Sequence, residues 1–162
     1  MNYKSDSQDK ALSFNIVEIQ ECQKNRFPML FVDEIYDVFP GKSAKGKKCF
    51  SFNEWFFPVH YEDDPNVPGF IQVECLVQTF IMTFLSFEEH RGKKTSFVNI
   101  DNVSFKKKII PGHQLEIHAT LDRFKRGIAK GSAESFIEGE RACSADFVVA
   151  VPDILDQLEH RD

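Results

Sequence analysis

No stretch of this 162-residue chain is apolar for long enough to cross a bilayer. The longest weakly charged run, Pro65 to Phe87, is broken by Gln72, Glu74 and Gln78, and a carboxylate near its middle is at odds with a membrane span. Cysteine is sparse and scattered: Cys22, Cys49, Cys75 and Cys143 form no CxxC pair. That spacing excludes a zinc knuckle or a disulfide framework and predicts free thiols in a reducing compartment. Residues 1–15 mix Lys, Asp and Ser without a continuous apolar stretch, so no secretory leader is read there. A soluble, cytoplasmic protein is expected. Repeats, low-complexity linkers and signs of a second domain are also missing.

Tryptophan occurs once and tyrosine three times, against 17 phenylalanines. Phenylalanine has no polar tip to satisfy, so the bias points to purely apolar packing or to a greasy ligand channel. Net charge is −5, but residues 91–130 alone carry ten Lys/Arg and three Asp/Glu. This basic strip on an acidic chain fits a solvated face, a dock for an acidic protein or a nucleic-acid site. No nucleic-acid-binding motif accompanies it, and the overall acidity weighs against non-specific polyanion binding. No nucleic-acid partner is expected.

Periodicity outlines one domain over 16–152, between a flexible segment at 1–15 and a tail at 153–162. Ile16 to Cys22 reads as a short helix, Met29 to Phe39 as a strand, and Pro40-Gly41 as a turn into a second antiparallel strand, Lys42 to Phe52. Asn53 to Val67, with its prolines and three consecutive acids, reads as a long irregular loop. Phe70 to Phe87 is apolar on every side of a helical wheel, so that helix should be buried all round. Four strands in a meander are expected after it, over Ser96–Lys107, His113–Phe124, Ile128–Glu138 and Arg141–Val151. A curved antiparallel sheet wrapped about one central helix follows, an α+β architecture.

The chemistry concentrates between Asn53 and Gln78. Glu74 is the only charged residue between Asp64 and Glu88. A lone carboxyl in an apolar helix is costly unless paired or protonated, and a raised pKa would make it a proton donor near neutral pH. The alternative is that Glu74 pairs with a neighbour or faces solvent at a sheet edge. His60 sits in the loop before the helix, where an imidazole could serve as a base or be incidental. Pro68-Gly69 opens the helix: proline suits its first turn, and glycine admits a ligand close to free N–H groups at the positive end of the dipole. A base, an acid and an oxyanion site together suit β-elimination from a thioester.

These residues, in this order, resemble the signature of the FabZ-type β-hydroxyacyl-ACP dehydratases, which have the hotdog fold. The matching positions are Asn53-Glu54, Phe56-Phe57, His60, Pro68-Gly69, Glu74 and Gln78, with His60 and Glu74 fourteen apart. Arg26-Phe27-Pro28-Met29-Leu30 with Val32-Asp33, and later Ile100-Asp101, Phe105-Lys106, Pro111-Gly112 and Arg126-Gly127, extend the likeness over roughly residues 23 to 150. The resemblance implies a lyase that removes water from a (3R)-hydroxyacyl thioester in fatty-acid or polyketide-type biosynthesis, without metal or cofactor. His60 would take the α-proton, Glu74 would protonate the departing hydroxyl, and the Gly69 N–H would polarise the carbonyl. It further implies an acyl tunnel lined by Phe57, Pro68, Phe70, Gln78, Ser96 and Phe97. Active sites would be shared between the protomers of a homodimer, with a trimer of dimers as a further assembly. The substrate would arrive on acidic acyl carrier protein, or on CoA, docking on Lys106, Lys107, Lys108, Arg123, Lys125 and Arg126.

The chain departs from the family pattern around His60. Val59 stands where glycine is usual, Tyr61-Glu62 replaces Phe-Pro, and Asp63-Asp64 follow. Asn25 replaces the histidine of an early His-Arg pair, and Ser96 a gating tyrosine. A divergent dehydratase is expected. A hotdog thioesterase and a catalytically silent hotdog subunit that binds acyl chains or an active partner are the competing readings.

Overall fold

A computed structural model describes residues 10–159 of the chain. The order is β1 (Leu12–Phe14), α1 (Ile16–Cys22), β2 (Glu34–Phe39), β3 (Ser43–Cys49), α2 (Gly69–Leu85), β4 (Ser96–Phe105), β5 (Gln114–Lys125), β6 (Ile128–Ile137), β7 (Glu140–Ala150) and α3 (Pro152–Glu159). The seven strands form one sheet, ordered β1-β2-β3-β5-β6-β7-β4, and all its pairings are antiparallel. It curls around α2, the hotdog architecture expected from the sequence.

Alternation explains the wrap. Leu115, Ile117, Ala119 and Leu121 of β5 are buried, as are Cys143, Ala145, Phe147 and Val149 of β7. Period-2 burial of this kind turns one face of each strand toward α2. Thirteen of the 17 residues of α2 are buried, so a single stripe does not describe it. Burying each of Ile71, Leu76, Phe80 and Phe84 stabilises the fold by about 2 kcal/mol. Close approach of helix and sheet requires glycine at position 46, where a Cβ would stand 2.3 Å from Thr79 Oγ1. The helix α1 starts on a capping box: Asn15 accepts from Val17 N and Glu18 N, and Glu18 accepts from Asn15 N.

Two expectations need correction, and both end segments carry secondary structure that the sequence reading did not place. The last four strands are not a simple meander: β4 lies beside β7 at the far edge, and β3 pairs with β5. Periodicity identifies a strand but not its neighbour. The expected strand from Met29 begins only at Glu34, because Phe31 N and Val32 N donate to the Gln78 side chain in place of a ladder. Within the segment expected to be flexible, Leu12–Phe14 pair with β2 through Val38 and Ile35, while residues 1–9 lie outside the described part. The expected C-terminal tail carries α3, and residues 160–162 lie outside the description. Among the described residues, no helix is long and apolar enough to cross a membrane.

Candidate active site

Glu74 lies in the second turn of α2, half-buried, and borders a cavity of about 110 Å³ with Asn25, Val77, Ser96 and Phe97. Burial pushes its carboxyl above the ordinary glutamate value, and hydrogen bonds from Gln78 and Asn25 oppose that rise. Both bonds fall on one oxygen: Gln78 Nε2 donates to Oε1 at 2.9 Å and Asn25 Nδ2 at 3.3 Å. No ion pair involves Glu74 among the described residues. The sequence expectation of a desolvated acid without a cationic partner therefore holds in the structure.

Gln78 borders the same cavity, yet its amide is committed to protein. It is fully buried; Nε2 also donates to Met29 O at 2.6 Å, and Oε1 accepts from Phe31 N at 2.9 Å and Val32 N at 3.4 Å. Besides bordering the cavity it has a structural role. It ties α2 to the chain entering β2 and steadies Glu74.

His60 follows a short 3-10 turn, Phe57–Val59. Its Nδ1 lies 3.0 Å from Asn66 O, and the Tyr61 ring sits 4.6 Å from the imidazole. His60 does not border the Glu74 cavity of its own chain. The loop that carries it is anchored at several points. Phe57, expected at the substrate, is fully buried in an aromatic cluster with Phe50 and Phe56. Lys48, 6% exposed, pairs with Glu54 at 2.5 Å. At the loop's far end Val67 N donates to Ile109 O, and Lys108 pairs with Asp64.

Pro68 is buried as the residue preceding α2, and Phe70 stands exposed beside it; neither borders the Glu74 cavity. No side chain caps this helix start; Ile71 N and Gln72 N donate to Pro68 O, and the N–H groups of Gly69 and Phe70 have no intrahelical partner. A Cβ on Gly69 would come 2.9 Å from Phe105 Cζ, so the Phe105 ring lies close over the helix start. Ser96 and Phe97 border the Glu74 cavity.

The six basic residues expected to dock a carrier do not form one patch. Arg123, Lys125 and Arg126 line a cavity of about 320 Å³ together with Lys130, which the sequence reading missed. Lys125 pairs with Ile128, Ile128 with Ala150, and Ala150 with Ser96, so this cluster is level with the Glu74 cavity. Three interstrand spacings separate them, about 14 Å. Lys106–Lys108 follow the opposite end of β4, about 30 Å along the strand from Ser96. There Lys107 pairs with Glu140 and Lys108 with Asp64.

Comparison with known proteins identifies the family. The family model for a FabA-like domain matches residues 24–146. A curated 3-hydroxyacyl-[acyl-carrier-protein] dehydratase FabZ from Bacillus thuringiensis is 41% identical over 139 residues, covering 86% of this chain and 96% of the relative. One from Roseiflexus castenholzii is 37% identical over 137 residues, covering 85% and 96%. Among solved structures, the dehydratase heterocomplex ApeI:P from Xenorhabdus doucetiae superposes with a TM-score of 0.73 at 14% identity, covering 86% of this chain and 95% of that one. A putative thioesterase from Ralstonia eutropha reaches a TM-score of 0.53 at 22% identity, covering 67% and 76%. At such identities the structures speak to the fold alone, whereas the sequence matches span nearly all of the relatives. This chain belongs to the FabA-like family, among its FabZ-type dehydratases.

Proposed function

We propose that this protein dehydrates a 3-hydroxyacyl thioester to the trans-2-enoyl thioester, using His60, Glu74 and the N–H of Gly69. The observation that carries the reading is Glu74: a carboxyl desolvated at a cavity wall, without a counter-ion, on a helix whose N-terminus is open. In the proposed step, the Gly69 N–H binds the thioester oxygen as enolate charge builds there. His60 Nε2 takes the α-proton, and the electron pair left behind forms the new double bond. The β-hydroxyl leaves as water with the proton of Glu74, and solvent later returns His60 and Glu74 to their starting protonation states.

Two observations support a site shared between protomers of a homodimer. His60 lies off the wall of its own chain's Glu74 cavity, and 110 Å³ is well below the roughly 300 Å³ of ordinary ligand sites. Strand β4 is an edge strand with Phe97, Val98, Ile100, Val103 and Phe105 exposed, a surface suited to burial against a second copy. A partner could supply His60 and enlarge the cavity.

The relatives are named as acting on acyl carrier protein, and that carrier is proposed here too. The Arg123, Lys125, Arg126 and Lys130 cluster, level with the cavity, is the better dock for an acidic protein. Four free cysteines fit a cytoplasmic setting. Incubation with a short 3-hydroxyacyl thioester tests the whole reading. Formation of the enoyl product that disappears in Glu74→Gln supports it; release of free thiol, or no reaction, sets it aside for a thioesterase or a silent subunit.

A further inference from the structure

The carboxyl of Glu74 is not held symmetrically. Both of its hydrogen bonds fall on Oε1, one from Gln78 and one from Asn25, 49 residues away along the chain. We propose that Asn25 is a positioning residue which, with Gln78, fixes Oε1 as the carbonyl oxygen of Glu74 and leaves Oε2 to carry the transferable proton. The inference rests on the dehydratase reading for its use in catalysis. The contact itself does not depend on that reading.

The chemistry follows from which groups can donate. An amide NH₂ only donates, and an amide oxygen only accepts. The orientation of Gln78 is set by its neighbours: its oxygen faces the N–H groups of Phe31 and Val32, and its nitrogen faces the carbonyl of Met29. The remaining proton on Nε2 must then point at Glu74. Asn25 adds a second N–H to the same oxygen. In a neutral carboxyl the carbonyl oxygen, with two free lone pairs, is the better acceptor for two donors, so the acid proton belongs on the other oxygen. A proton on Oε1 would forfeit this match.

Asn25 is itself held firmly. Arg26 Nη1 donates to Asn25 O at 2.7 Å and to Gln23 O at 2.8 Å, and Nη2 donates to Gln20 O at 2.7 Å. Gln23 Nε2 in turn donates to the backbone of Gln78 at 3.3 Å. The guanidinium is thereby committed to carbonyls at the end of α1 and not to Glu74. Of the residues bordering the cavity, from α2, the segment before β2, β4 and β7, Glu74 is the one acidic or basic side chain. Cys75, next along α2, is fully buried and its thiol is pushed up. The sequence signal was the replacement at position 25 of a histidine by asparagine, which retains a donor and adds no titratable group.

The test is infrared difference spectroscopy of the Glu74 carboxyl in the free full-length protein, assigned by its loss in Glu74→Gln. In Asn25→Ala the protonated carbonyl stretch should rise in frequency, because that oxygen loses a donor. The carboxyl should also ionise at higher pH, since the lost bond favoured the charged form. With a 3-hydroxyacyl thioester, kcat should fall about tenfold, the worth of one hydrogen bond, with little change in KM. The alkaline limb of the rate profile should move upward. Asn25→His, which keeps a donor, should restore part of each. Should the alanine variant not fold, isosteric Asn25→Asp carries the same test, with Glu74 pushed up further by the adjacent carboxylate. An unmoved carbonyl stretch in folded Asn25→Ala or Asn25→Asp overturns the proposal. If dehydration proves not to be the reaction, the spectra of the free protein still decide whether Asn25 orders Glu74.

Discussion

The backbone oxygen of Asn66 stands 3.0 Å from Nδ1 of His60. A carbonyl can only accept, so a neutral imidazole here carries its proton on Nδ1 and presents Nε2 as the free base. Asn66 N also approaches His60 O at 3.4 Å, closing the turn that contains Tyr61 in the left-handed region at φ 54°. Imidazole 15N spectra of the resting protein should show the Nδ1–H tautomer. Turnover of His60→Ala should fall by about 10²–10⁴-fold, the ordinary contribution of a general base. Finding the opposite tautomer would remove the base from the proposed mechanism.

Glu74→Gln should lose about 10²–10⁴-fold in turnover while binding acyl thioester nearly normally. Its effect on stability should depend on pH. The folded carboxyl is shifted upward by burial, so its protonated form is the one favoured by folding. That contribution is complete at pH below the unfolded value and is lost as pH rises through the folded one. Glutamine cannot ionise. Relative to the parent, Glu74→Gln should therefore gain thermal stability as pH rises from about 4 to about 8. A difference in Tm that stays flat over that range would mean the carboxyl is not desolvated in solution.

Complementation tests the shared site. His60→Ala and Glu74→Gln subunits, each inactive alone, should regain activity after subunit exchange. A random mixture holds about half mixed dimers, each with one intact site, so about a quarter of parental activity is expected. Exchange without recovery would place each site within one chain.

The helix was legible because Phe70 to Phe87 is greasy all round, and only a core element tolerates that. Glu74 was legible for the same reason, as a lone charge in such a run. What was hidden depends on partners distant in sequence. Asn25 reaches Glu74 across 49 residues, and no periodicity encodes that contact. Met29 to Asp33 has strand-like residues, but Phe31 N and Val32 N bond to a side chain. Phe57 carries a family motif yet fills the core, since a run of aromatic residues does not say which ring faces inward. The basic residues looked like one group in sequence, and only strand order separated Lys106–Lys108 from the cluster around Lys130.

That separation has a kinetic consequence. Reversing charge at the cavity cluster, as in Arg126→Glu with Lys130→Glu, should raise KM several-fold for a carrier-bound substrate and leave a small thioester mimic unaffected. The effect should fade at high salt, where screening shortens the reach of surface charge to a few ångströms. Lys107→Glu should matter less, because its ammonium is already neutralised by Glu140. Equal losses at both places would restore the single-patch reading.

Lys48 offers the clearest stability test. It is 6% exposed, pairs with Glu54 at 2.5 Å and lies near Asp33 at 3.9 Å, with its ammonium 5.5 Å from the Phe50 ring centre. Asp33 in turn accepts from Cys49 N at 2.7 Å. The pair links β3 to the first residues of the His60 loop. A buried ion pair adds little over an apolar pair of the same shape, but removing one member leaves the other charge uncompensated. Lys48→Met should therefore destabilise the protein by about 3 kcal/mol in denaturant unfolding. Adding Glu54→Gln should recover much of that loss, because the more buried of the two carboxylates near Lys48 is then no longer stranded. Activity should not recover in parallel, since neither variant restores the link that holds the loop against β3. If the double variant were no more stable than Lys48→Met alone, the ammonium would be acting through packing and not through its charge.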